Sequence, residues 1–66
     1  MFVEVDVYIL RVSHAAVLVS VTGDREDSVW TPLSCIDTPR QRAEDAIGQA
    51  TTILVLERVA IEKGLV

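Results

Sequence analysis

From Phe2 to Val12 the sequence alternates, with Val3, Val5, Val7 and Ile9 on one parity and Glu4, Asp6 and Tyr8 on the other. A two-residue period belongs to a strand with one face buried and one wet, because successive side chains of an extended chain leave opposite sides. A helix of the same sequence would scatter the valines around its circumference. A chain that opens in this way needs partner strands for its backbone groups and a cover for its apolar face.

The rest of the chain supplies candidates for both. Ser13 and His14 interrupt the pattern, and Ala15 to Val21 resume it with Val17, Val19 and Val21 on one face, which predicts an antiparallel hairpin. Thr22 to Asp27 is a polar tip in which Gly23 can take positive φ and Asp24 and Asp27 can bond nearby backbone. Ser28 to Leu33 reads as a third strand, and Pro32, lacking an N–H, sends it to an edge or a bulge. Ser34, Cys35 and Ile36 would extend it briefly. Thr38, Pro39 and Gln41 have the spacing of a capping box with proline at the first helical position, which predicts a helix from Pro39 to Ile47. Gly48 should end that helix, and the β-branched run Thr51 to Val55 fits a further strand. A single helix over 39–63 is the rival reading, since Ala43, Ile47, Ala50 and Leu54 also share a helical spacing. Leu56 to Lys63 is helical on either reading, with Gly64 and Leu65 as its C-terminal stop. The expected fold is α+β: a small curled, barrel-like antiparallel sheet of about four strands with a short helix and a C-terminal helix.

Size and composition narrow the functional classes. The 66 residues make a single small domain over residues 1–66, and a chain of roughly 60 residues buries only about 60% of its unfolded surface. A partner surface, including a second copy, would complete such a core. Ten acidic residues against six basic ones give a net charge of −4, which repels nucleic acid instead of releasing counterions from it. Arg40, Arg42, Arg58 and Lys63 read as a solvated face. One cysteine, Cys35, permits no internal disulfide and points to a reducing cytoplasm. The charges Glu4, Asp6 and Arg11 within the opening apolar run exclude it as a signal core or a bilayer span.

No constellation supports catalysis. His14 and Cys35 stand alone, without the paired spacing of a zinc site, and Cys35 in its apolar setting reads as a core or boundary residue. The acidic tip has too few ligands for a calcium loop. No phosphate loop or nucleophile elbow is present. No catalytic, cofactor or metal site is therefore expected, and the chain reads as a non-enzyme. Trp30 reads as a core keystone first and an exposed anchor second. If the chain binds a partner, the residues assigned to that role are Asp24, Glu26 and Asp27, which would steer toward a basic surface, together with Trp30.

The segments Ala16-Val17-Leu18-Val19, Val29 to Ile36 and Thr52 to Leu65 resemble a set of small uncharacterised phage and prophage proteins, which show an AVLV strand, a VW(I/L)PxSxI strand and a closing VPEWLAxEKGL segment in this order. Leu56 stands where that pattern has proline and Arg58 where it has tryptophan. The resemblance implies a phage protein acting in the cytoplasm of a bacterial host. Joined with the acidity and the small size, it leads to the expectation of a protein-binding accessory factor. An inhibitor of a host defence complex, such as an anti-CRISPR, is the leading form. The alternatives are a small nucleic-acid-binding barrel, with Trp30 and Tyr8 as stacking platforms and Arg11, Arg25 or Arg40 beside them, and a phage structural subunit.

Overall fold

The computed structural model describes residues 1–66. Its elements are β1 (Phe2–Val12), β2 (Ala16–Ser20), β3 (Ser28–Pro32), α1 (Arg40–Asp45), β4 (Ala50–Leu56) and α2 (Glu57–Glu62), with 3₁₀ turns at Arg25–Asp27 and Leu33–Cys35. The strands form one antiparallel sheet ordered β3-β2-β1-β4. The fold is α+β, but the sheet is open, with β3 and β4 at its two sides, and not the barrel-like closure expected. Its ends cannot meet. β3 stops at Pro32, and the far edge of β4 is taken by the segment after the second 3₁₀ turn, where the Asp37 N–H donates to the Leu54 carbonyl at 2.8 Å and Ile36 bridges Val55.

β1 is long enough to serve two partners in succession. Tyr8 to Val12 pairs with β2, and Phe2 to Tyr8 pairs with β4. The register with β2 shifts between Ile9 and Arg11, so Arg11 lies opposite Leu18 and Val12 opposite Val17. The bulge inserts Leu10 and changes the parity, which keeps Arg11 off the buried face and returns Val12 to it. The β1–β2 turn is held by Ser13, whose Oγ donates to the Ala16 carbonyl and accepts from the Ala16 N–H.

The buried face is the valine parity. Val5, Val7 and Ile9 of β1, Val17 and Val19 of β2, and Ile53 and Val55 of β4 form one cluster with Ile36, Ala43 of α1, Val59 and Ala60 of α2, and Leu65. Val21, expected on that face, lies beyond β2 and is exposed. Both helices cover the same side of the sheet, so its opposite face has no second layer.

Residues 39–63 form helix, strand and helix, not one helix. Gly48, at φ 84°, takes the chain out of the helical region and donates its N–H to the Ile9 carbonyl at 2.7 Å, which starts the approach of β4 to β1. α1 is shorter than expected, and the capping box does not form. Pro39 is the N-cap residue, Thr38 Oγ1 accepts instead from the Leu54 N–H, and Gln41 reaches forward to Asp45. The loop is held against β4, which draws the Thr38 hydroxyl away from the helix. The second 3₁₀ turn replaces the strand extension expected at Ser34 and Cys35, with Ile36 making a single bridge. At the other end Gly64 takes φ 71°, the Leu65 N–H reaches the Ala60 carbonyl at 2.8 Å, and Leu65 is buried, as the stop signal predicts.

Candidate functional surface

Trp30 lies opposite Leu18 across the β2–β3 pair, on the parity that faces away from both helices. It is 46% exposed, which corrects the expectation of a core keystone. The reason is alternation: its neighbours Val29 and Thr31 are the residues of β3 that point inward, Val29 packed against the core opposite Val19 and Thr31 fully buried opposite Val17. Phe2 and Tyr8 share the outer parity and are 42% and 38% exposed. The only phenylalanine, tyrosine and tryptophan of the chain thus all stand on the uncovered face, and none is in the core. Parity carried the signal for Phe2 and Tyr8, which alternate with the buried valines.

The tip between β2 and β3 folds over this face. Ser20 is fully buried, its Oγ donating to the Asp24 carbonyl at 2.9 Å and accepting from the Gly23 N–H at 3.0 Å. Gly23 takes φ 91° and lies so close to the Tyr8 ring that a Cβ there would sit 3.2 Å from it. Of the acidic residues assigned to a partner, Asp27 is engaged within the loop, accepting from the Thr22 hydroxyl at 2.7 Å. Asp24 contributes its backbone to the same turn, and Glu26 is exposed with no hydrogen-bond donor to its carboxylate. The tip and Trp30 are therefore brought to one side of the molecule, but only Asp24 and Glu26 offer carboxylates without a partner.

Beneath the tip, Leu10, Arg11, Leu18, Gly23 and Arg25 line a shallow recess of about 200 Å³. The one ion pair in the molecule joins Arg40 to Glu44 at 3.9 Å on exposed α1, a contact of little energetic weight. Arg11 and Arg25 are thus free of carboxylate partners. Tryptophan, tyrosine and arginine are the residue types that carry most binding energy in interfaces. A second recess, of about 310 Å³ between Met1, Leu56, Glu57 and Arg58, lies at the corner of β4 and α2.

His14 is exposed in the β1–β2 turn, and Cys35 is half-buried against the core in the second 3₁₀ turn, with no hydrogen bond between them. No group of three or more His, Cys, Asp or Glu residues is placed to hold a metal ion. No helix is long and apolar enough to cross a membrane. What the fold and surface define is a small open-faced α+β domain with an aromatic sheet face. Compared with protein-family models, curated proteins and solved structures, the chain matches none.

Proposed function

We propose that this protein is a non-catalytic protein-binding module whose working surface is the uncovered sheet face around Trp30, and that it acts as a phage-borne inhibitor of a host defence complex. The observation that carries the binding reading is the placement of Tyr8 and Trp30 on a face that no helix covers, Trp30 across from Leu18 and Tyr8 against Gly23 at the recess that Arg11 and Arg25 line, with Phe2 on the same face at the far end of β1. A domain this small gains by burying aromatics, and leaving all of them outside is explained by a partner that covers them. The phage setting rests on the sequence resemblance, and the inhibitory role on acidity and size.

The test is affinity purification from a bacterial host with the wild type and Trp30→Ala side by side. A defence or nucleic-acid-processing complex should be recovered with the wild type, and the variant should lose about 2 kcal/mol or more of binding. Equal recovery of the same proteins by both would overturn the assignment of the surface. Recovery of no such complex at low or physiological salt would overturn the inhibitor role.

The same face supports a second reading, because Arg11 and Arg25 flank the recess beside Tyr8 and Trp30 as a single-strand-binding surface requires. Glu4 and Asp6 on the same face, and the net charge of −4, weigh against it. Retention of a single-stranded oligonucleotide in a gel shift, falling steeply with salt, would favour it over the protein-binding reading.

A further inference from the structure

The sheet has three places where a strand side is not covered by its own neighbour, and they differ in what they offer. The outer side of β3 is short and ends at Pro32, which has no N–H to give. The outer side of β4 is occupied by Ile36 to Thr38, through the Asp37 and Leu54 hydrogen bonds and the Ile36–Val55 bridge. The remaining one is the side of β1 facing β2 over residues 2–7. β2 ends at Ser20, whose partner is Tyr8, and no strand continues along β1 below that point.

The direction of the backbone groups along this stretch follows from the ladder. The Ile9 N–H donates to the Gln49 carbonyl, the Ile9 carbonyl accepts from the Gly48 N–H, and the Met1 carbonyl accepts from the Glu57 N–H, so the odd residues of β1 face the β4 side. By the alternation of an antiparallel pair, the N–H and C=O groups of Phe2, Glu4 and Asp6 point to the open side. Their side chains stand on the uncovered face. An unpaired row of this kind is a template for an added strand.

We infer that the N-terminal half of β1 accepts an extended segment of a partner protein by strand addition, and that this segment carries basic residues at alternate positions. Residues added opposite Glu4 and Asp6 place their side chains on the same face, within reach of the Glu4 carboxylate and of the Asp6 carboxylate, one oxygen of which accepts from the Thr52 hydroxyl at 2.6 Å, so lysine or arginine there is favoured. A second copy is the wrong occupant. Antiparallel self-pairing of this stretch sets Glu4 against Asp6, Glu4 against Glu4 or Asp6 against Asp6, and like charges directly opposite are destabilising. The acidic pair therefore protects the edge from self-association while selecting a basic strand. This inference rests on the protein-binding reading but uses a different surface from the Trp30 region.

The probe is an acetylated, amidated peptide alternating valine and lysine, with the valine nitrogens N-methylated so that it presents a single hydrogen-bonding edge. Amide hydrogen exchange and chemical shifts of the full chain provide the readout. In the free protein the Glu4 and Asp6 amides should exchange quickly while Val5 and Val7 are protected, and saturation with peptide should protect Glu4 and Asp6. Moving the methyl groups to the lysine nitrogens should abolish binding. Glu4→Lys should weaken it about tenfold and turn the preference toward the glutamate version of the peptide. Glu4 and Asp6 amides that stay unprotected at saturation, or binding indifferent to the methyl positions, would overturn the inference. So would protection of those amides in the free protein that grows with concentration, the mark of a second copy. If a partner is captured in a Trp30-dependent manner while the Glu4 and Asp6 amides still exchange freely, the edge fails and the protein-binding reading stands.

Discussion

At the scale of single residues, the conflicts with local rules sit at the sheet's inner margin and under its tip. Thr31 is fully buried and its Oγ1 has no hydrogen-bond partner. A buried hydroxyl left unpaired costs about 1–3 kcal/mol, and valine has nearly its shape without the polar atom. Thr31→Val should therefore raise stability by about 1 kcal/mol in urea unfolding; a loss would mean that the hydroxyl has a partner in solution. Gly23 meets two demands at once, a φ of 91° and the Tyr8 ring against its Cα. Gly23→Ala should cost about 1–3 kcal/mol, read as a lower denaturant midpoint. An unchanged midpoint would show that the tip can leave Tyr8 without penalty.

The elements themselves are short, so each depends on what ties its ends. The β2–β3 tip is organised from Ser20, which satisfies the Gly23 N–H and the Asp24 carbonyl from a position with no exposure. Ser20→Ala leaves those groups to find other partners, and should speed amide exchange at Gly23 and lower stability by about 1–3 kcal/mol. If exchange at Gly23 is unchanged, the tip is held by its backbone and Thr22 alone. α1 and α2 are each too short to persist alone, and they exist because Ala43, Val59 and Ala60 are buried on the sheet. This is also why the Thr38 capping signal was misleading: for so short a helix, docking to β4 outweighs a side-chain cap.

For the molecule as a whole, the distribution of large side chains predicts an inversion of the usual ranking of aromatic and aliphatic positions. Ile9 is fully buried at the point where β1 passes from one partner strand to the other, and Trp30 is half exposed. Ile9→Ala should cost about 2–5 kcal/mol, a large part of the ~5 kcal/mol expected for so small a domain. Trp30→Ala should cost only about 1–2 kcal/mol, from the area it covers over Leu18. Thermal melts followed by circular dichroism compare the two directly. A larger loss at Trp30 than at Ile9 would mean that the aromatic face is packed in solution.

The sequence by itself determined the strand character of β1, the breaks at Ser13 and Gly48, the Gly23 tip, the limit set by Pro32 and the Gly64 stop, because each follows from backbone chemistry within a few residues. It also placed the tip acids and Trp30 near one another, as neighbours in one hairpin. Only the tertiary structure decided which strands are adjacent, since the pairing of Phe2 with Leu56 joins opposite ends of the chain and no local preference encodes it. It likewise decided the fate of Trp30. With both helices on the valine face, the other parity has no helix over it and only the β2–β3 tip covers part of it, and the chain's largest side chain is left outside the core.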